Sequence, residues 1–386
     1  MSAARSTRPP SRLVVTGDVL RPVEGACRPS QATNIGWLFQ ILRRPLARAT
    51  GIVPELLVWN ADGVGGFDTP RFFRLHDEPV SLGGWARLFG RRELTPTGLT
   101  QLLAHVADSL VIGYEMPPVL RAGLQALGVP FVDVVLHPAR YLDDVFLGFA
   151  TDRPELFEGL LAARLGDDEL YDEAALLLAG LKRRPPKLPP DVDLLLAGQT
   201  ETDRSVIGED GAFLSLADFA DPLQALVSDR PRVLFKPHPY AKGDFGIFAS
   251  GLRHHAIVDT RENFYALLAS EQIETVCSVS SSTSIEARYF DKKAIFLHRP
   301  PFDLVDDGDT AFAPHRYVAV KDAFLGADFW RRVLAPLLPV SAPDGRRPPA
   351  RPNQLRTSLR MFWGFNAVST DIVVEQYFAD RKARTA

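Results

Sequence analysis

Six short stretches of this chain are apolar almost without interruption: LVVTG (13–17), LVIGY (110–114), VDVVL (132–136), LLLAG (194–198), VLFK (233–236) and TVCSV (275–279). A strand with one wet face alternates apolar and polar side chains, because successive residues point to opposite sides of the sheet. Strands that do not alternate must be covered on both faces, as in a parallel sheet wrapped by helices. Amphipathic stretches of helical length lie between the runs, so strand and helix alternate along the chain.

The rhythm divides in two. Strands are expected over 12–19, 54–59, 109–115 and 131–137, with a helix over TNIGWLFQILRRPLARAT capped by Thr33 or Asn34. Another helix, PPVLRAGLQALG, carries proline at its start and glycine at its end. Helices over 154–165 and 168–182 follow, and then KRRPPKLPPDVD, whose prolines mark a stiff linker. Beyond it come strands at 193–199, 232–237, 256–260, 275–280 and 293–297, with helices at 214–228, 262–270 and 282–290. A second proline-rich patch, DGRRPPARP, precedes a last helix over about 353–379. The expected organisation is a Rossmann-like unit at 1–184, a second at 190–350, and a segment at 353–386 that packs back on the first.

The 386 residues suffice for two such units. A net charge of −3 argues against nucleic acid as a partner, since polyanion binders are basic. The only cysteines, Cys27 and Cys277, are far apart, so neither a disulfide framework nor a thiolate metal site is expected, and the compartment is expected to be the reducing cytoplasm. DVD (191–193), DDGD (306–309) and NADGVGGFD (60–68) lack the spacing of metal loops, and no metal is expected. The phosphate fingerprints GxGxxG and GxxxxGK[ST] are absent, as is the GxSxG nucleophile elbow. No apolar run approaches a membrane span. GWARLFGRR, FWRRVL and LRMFWGF mix aromatic residues with arginine, as peripheral membrane surfaces do; ordinary core helices do the same.

In open α/β sheets ligands sit beyond the carboxyl ends of the strands, so the residues that follow each run are the candidates. In GQTETDRS, Gln199 ends a strand and Asp203 follows in the loop; the alternative for Asp203 is a turn cap. In LFKPHP (234–239), a strand stops at Lys236 and His238, two donors for an anion, in a loop stiffened by prolines. In SVSSSTS (278–284), a strand gives way to a helix within a run of hydroxyls: Ser278, Ser280, Ser281 and Ser282. Helix-start N–H groups beside serine hydroxyls suit a phosphate; plain N-capping needs one serine only. Glu286, one turn on, is placed to reach a ribose hydroxyl or else faces solvent. Together the three motifs point to a nucleotide. In the first half, Asp18, Glu115, His137 and Arg140 follow strands, and Glu115 stands out because a carboxylate ending an apolar strand must be solvated or used.

GQTETDRS, KPHP and the serine run together resemble the capsule-synthesis type of bacterial glycosyltransferase, most nearly the retaining β-Kdo transferases of capsule and O-antigen assembly. The resemblance covers roughly 190–300 and only loosely the first half. It implies a GT-B fold, two Rossmann-like domains with the active site between them. It also implies a CMP-sugar donor whose phosphate is held by Lys236 and His238 on one side and Ser280–Ser282 on the other, with Asp203 as the catalytic aspartate. Arg204 departs from the pattern, standing where a small residue is commoner. Glu115 and His137 are expected, from position, to take the acceptor's proton. The expected partners are the CMP-sugar donor, a saccharide or lipid-linked glycan acceptor, and by way of peripheral contact the inner membrane or other polysaccharide-assembly proteins. No cofactor is expected beyond the donor. The competing expectations are a UDP-sugar transferase or epimerase of the same fold, and a non-catalytic polysaccharide-assembly protein.

Overall fold

The computed structural model describes residues 9–23, 31–59, 65–183, 185–238, 246–247, 251–252, 256–343, 345 and 353–359. Cys27, Pro239 and the greater part of the expected last helix, 360–386, lie outside the described residues.

Two sheets form. The first holds β1 (Arg12–Gly17), β2 (Glu55–Leu56), β3 (Ser109–Tyr114), β4 (Phe131–Leu136) and β5 (Leu147–Thr151). The second holds β6 (Leu194–Ala197), β7 (Arg232–Lys236), β8 (Ala256–Asp259), β9 (Thr275–Ser278) and β10 (Lys293–Phe296). The chain then re-enters the first sheet through β11 (Asp303–Leu304) and β12 (Arg316–Val320). The orders are β11-β12-β5-β4-β3-β1-β2 and β10-β9-β6-β7-β8. Every strand run expected from the sequence is a strand here, and β3, β4, β6 and β9 are buried along their whole length.

The second sheet is wholly parallel. The first is mixed, because β5 runs antiparallel to both β4 and β12. Two departures from the expected boundaries accompany this. Strands β11 and β12 and the helix Ala327–Leu334 lie within 190–350, yet they belong to the first unit: Phe149, Val318, Trp330 and Val333 share its core. Conversely, the helix Asp167–Leu181 packs on the second unit, where Leu170 and Ala174 join Leu195, Leu234 and Val276. The reason is the same in both cases. An apolar helix stripe is buried wherever a sheet face lies open, whatever its place in sequence.

Local structure corrects further details. The first long helix, Ala32–Thr50, begins after Gln31 with no side-chain cap; Asn34 donates back to Gln31 Oε1 at 2.6 Å instead of capping. The sequence reading missed helices at Thr69–Arg74, Leu82–Gly90 and Pro96–Val106. GWARLFGRR and FWRRVL turn out to be core-facing: Trp85, Phe89, Phe329 and Trp330 are buried. Among the described residues, no helix is long and apolar enough to cross a membrane. At the start of the last segment, Leu355 and Arg356 donate their N–H groups to Asp144 at 2.8 Å, and Trp37 donates to Ser358 Oγ at 2.8 Å. Those residues therefore dock on the first unit.

Candidate functional site

Strand order fixes where each sheet opens. In the second sheet the chain starts at β6, runs outward through β7 and β8, and returns to the other side of β6 through β9 and β10, so the order reverses between β6 and β9. In the first sheet the reversal falls between β1 and β3. Crevices at such switch points, beyond the strands' carboxyl ends, are where α/β sheets take ligands.

At the second switch point, Gln199 follows β6 and is nearly fully buried. Its Oε1 accepts from Ser280 N at 2.6 Å, and its Nε2 donates to Ser205 Oγ at 3.2 Å. Ser205 in turn donates to Asp203 Oδ1 from its N–H at 2.9 Å and from its hydroxyl at 2.7 Å. Gln199 thus ties the serine run to the Asp203 loop. Asp203 does cap a short 3₁₀ turn, Arg204–Val206, as its alternative reading had it. Both bonds fall on Oδ1. His238 lies on the neighbouring loop, near enough to Asp203 for their charges to interact. Burial, with Lys236 beside it, lowers the pKa of His238 despite Asp203, which raises it, and this favours the neutral imidazole. Glycine at 198 permits the approach, for a Cβ there would stand 3.1 Å from His238 N and 3.2 Å from Lys236 O. Lys236 Nζ donates to Glu262 O at 2.6 Å.

The serine run is spent more on structure than its chemistry suggested. Ser278 Oγ pairs with Ser284 Oγ at 2.8 Å and accepts from Ser281 N. Ser280 donates its hydroxyl to Arg299 O at 2.6 Å. Ser281 caps the helix Ser282–Tyr289, accepting from Thr283 N. Ser282, the first helical residue, stays half-buried at that helix start.

Glu286 faces neither solvent nor an open ribose site. It is 2% exposed, and its Oε1 accepts from Arg140 N at 2.7 Å and Tyr265 OH at 2.8 Å. It thereby joins the helix Ser282–Tyr289 to the loop after β4. Burial raises its pKa from 4.5 to about 7, against the lowering effect of those two hydrogen bonds and of Arg140 and Arg356. An acid whose pKa is higher folded than unfolded contributes stability below the unfolded pKa and loses it as pH rises through the folded one. Stability should therefore fall between about pH 4.5 and 7 on this account. Glu286→Gln keeps an acceptor for both donors and is expected to remove the loss, on the order of 3 kcal/mol. Denaturant unfolding of both proteins at pH 5 and pH 8 checks this; parallel pH profiles would refute it.

At the first switch point, Asp18 N donates to Tyr114 O at 3.0 Å, joining the ends of β1 and β3. Asp18 is buried, accepts from Leu20 N and Arg21 N, and receives Trp85 Nε1 at 3.0 Å. Glu115 follows β3 with φ +50°, a left-handed backbone that a glutamate adopts only where its surroundings hold it there. Two bonds hold it: Glu115 N donates to Val134 O at 2.8 Å, and the next N–H, of Met116, donates to Asp133 Oδ1 at 2.8 Å. Asp133 is a fully buried carboxylate within β4 whose Oδ2 accepts from Tyr317 OH at 2.6 Å. The sequence reading did not single it out, although a lone aspartate inside FVDVVL was the available signal.

The two switch points face each other. Arg204, beside Asp203, places Nη1 3.8 Å from Glu115 Oε2 and lies over the Phe89 ring at 5.6 Å. From the other side Arg21 donates to Thr202 O at 3.0 Å. Burial acts against the charged form of Arg204, but Glu115, Tyr317, Asp133 and Asp18 outweigh it and raise its pKa. Burial raises the pKa of Glu115, Arg204 lowers it, and Asp203 and Asp133 raise it; the net shift is upward. Of the three expected catalytic residues, the structure brings Asp203 and Glu115 into one electrostatic cluster.

His137 is different. It is 1% exposed, its Nδ1 accepts from Ala139 N at 3.3 Å, and burial together with Arg140 lowers its pKa to about 3. Such an imidazole is a poor proton acceptor near neutral pH, and its place is within the wall. Cys277 is also inert, its thiol pushed up to about 12 by burial. Among the described residues, no cluster of histidine, cysteine or carboxylate side chains suits a metal ion. A cavity of about 420 Å³ near Pro10, Ser109 and Pro130 sits at the opposite, amino-terminal ends of the strands, away from both switch points.

Two mainly parallel α/β units meeting across their switch points make up the GT-B class of fold. No protein-family model matches the chain, and no curated protein matches it. Solved structures similar to it include two of KpsC from Thermosulfurimonas dismutans. The β-Kdo 2,7 transferase is 16% identical at TM-score 0.34, over 63% of this chain and 80% of that one. The β-Kdo 2,4 transferase is 17% identical at TM-score 0.31, over 50% and 72%. A UDP-GlcNAc 2-epimerase from Neisseria meningitidis is 11% identical at TM-score 0.23, over 72% and 80%.

Proposed function

We propose that this protein is a glycosyltransferase that moves Kdo or a related 2-keto sugar acid from a CMP donor to a saccharide acceptor, with retention, in bacterial surface polysaccharide synthesis. The observation that carries the reading is the meeting of Asp203 and Glu115 across Arg204, beside His238 and a helix start.

The donor's anomeric carbon carries a carboxylate and an ester bond to the CMP phosphate. Asp203 Oδ1 is held by Ser205, so Oδ2 is the oxygen for attack. As Asp203 forms its bond to the anomeric carbon, the bond to the phosphate oxygen breaks and CMP leaves with the electron pair. An imidazole N–H of His238, the ammonium of Lys236 and the N–H groups at Ser282 receive that charge. CMP is a good leaving group, so no general acid is needed. In the second half, an acceptor hydroxyl attacks the same carbon, the bond to Asp203 breaks, and Glu115 takes the hydroxyl's proton. Its upward-shifted pKa makes Glu115 a stronger base than an ordinary glutamate. Two displacements at one carbon return the original configuration.

Intact-protein mass spectrometry after incubation with CMP-Kdo tests this. The expected result is an added sugar mass that is absent in Asp203→Ala. Turnover without any adduct on trapping would exclude the covalent route, and stabilisation by UDP in place of CMP in a thermal-shift comparison would favour a UDP-sugar enzyme.

A further inference from the structure

We infer that Arg21 is a positioning residue for Asp203, holding the nucleophile's loop from the opposite unit, an assignment that rests on the transferase reading above. Asp203 follows β6 of the second sheet, yet the segment it opens is shared between the units. Val206 is buried in the core of the second unit with Leu194 and Val233, and the next residue, Ile207, in the core of the first. From the second unit the loop is held by Gln199 through Ser205. From the first it is held by the loop after β1 and by the helix Leu82–Gly90.

The helix closes on the far end of the segment. Gly211 has φ +77°, and a Cβ there would stand 2.6 Å from Arg87 Cα. The rings of Trp85 and Phe213 lie 6.2 Å apart. Nearer the nucleophile, one side chain makes the link. Arg21 Nη2 donates to Thr202 O at 3.0 Å, one residue before Asp203. The guanidinium is itself clasped, lying over the Trp85 ring at 4.9 Å from its centroid. Asp18 fixes both parts of the clasp: Oδ1 accepts from Arg21 N at 3.0 Å and Oδ2 from Trp85 Nε1 at 3.0 Å. Asp18 and Trp85 are both buried. The displacement chemistry makes no use of Asp18, and this clasp gives that buried carboxylate its role. A planar guanidinium can stack on a ring and donate from its edge at once.

A misplacement on the order of 1 Å costs an attacking group about 10²-fold. Arg21→Ala removes the hold on Thr202 and leaves Asp203, His238 and the serine run intact.

Rapid-quench mass spectrometry of the CMP-Kdo adduct, with hydrogen exchange read on proteolytic peptides, tests the assignment in the full chain. In Arg21→Ala the adduct is expected to form about 10²-fold more slowly, with half-saturation by CMP-Kdo within about threefold of the parent. Peptides spanning 200–207 should exchange about tenfold faster, and those spanning 275–289 as in the parent. Arg21→Lys keeps the charge and a donor for Thr202, so it should recover about tenfold of the rate; it also serves should the alanine variant not fold. Loop exchange indifferent to Arg21→Ala would overturn the assignment. So would an adduct that forms at the parental rate and then persists, which would place Arg21 with Glu115, on which its charge also acts. Weaker half-saturation at an unchanged rate would make Arg21 a donor-binding residue and overturn it as well. The two readings separate. An adduct on Asp203 with an indifferent loop leaves the transferase standing and removes the role of Arg21. A loop that loosens in Arg21→Ala, in a chain that CMP-Kdo never modifies, keeps the hold of Arg21 and removes the transferase.

Discussion

Asp203→Asn is expected to lower transfer by about 10⁴-fold while leaving CMP affinity within about threefold of the parent. Asparagine keeps a carbonyl oxygen where Ser205 donates its N–H and hydroxyl, so the turn that carries the residue should persist. It cannot displace CMP, because an amide oxygen lacks the charge of a carboxylate. Steady-state kinetics with titration calorimetry for CMP gives both numbers. A loss of transfer under tenfold would mean that Asp203 is the turn cap of its alternative reading and nothing more. A joint loss of transfer and CMP binding, in a protein that still unfolds cooperatively, would place Asp203 in donor binding rather than in the displacement.

Arg204→Ala should destabilise the protein by on the order of 3 kcal/mol, because it takes from Glu115 its ion-pair partner and from the buried Asp133 and Asp18 a supporting cation. Glu115, Asp133 and Asp18 all interact with this guanidinium. The deficit should grow with pH. Without Arg204 the already raised pKa of Glu115 rises further, so ionising it in the folded state costs more, and stability is lost as pH climbs through the new value. Denaturant unfolding at pH 5 and pH 8 should show the larger deficit at pH 8. Glu115→Gln in the same chain should recover part of it. No recovery in the double variant would mean that the guanidinium acts through Asp133, Asp18 or packing on Phe89 and not through Glu115.

These two residues also show how far the sequence could be read. Asp203 stood out as a candidate because it follows an apolar strand in the loop, a place that also suits the turn cap it forms, and Glu115 because a carboxylate ending an apolar strand must be solvated or used. Arg204 registered only as a departure from a family pattern, since nothing local says that its partner lies some ninety residues earlier. The strands were legible from their continuous apolar character, a property of each segment by itself. Membership of β12 was not. RYVAV reads as a strand in either unit, and only its pairing with Leu147–Phe149 assigns it. His137 and Glu286 follow the same logic in reverse. Their positions after a strand and inside a helix start looked chemical, and their near-complete burial, which depends on the whole fold, turns them into parts of the wall and of the joint between units.

The return of β11, β12 and the helix Ala327–Leu334 to the first sheet bears on how the chain is made. Domains usually fold from the amino terminus as they emerge from the ribosome. Here the second sheet is complete once Phe296 has been synthesised, whereas the first lacks two strands and a covering helix until Leu334. In the interval β5 is an open edge beside an uncovered apolar face, the kind of surface that recruits other chains. The unit encoded first is therefore the last to close, and a fragment cut at the linker near residue 184 would carry that open edge permanently.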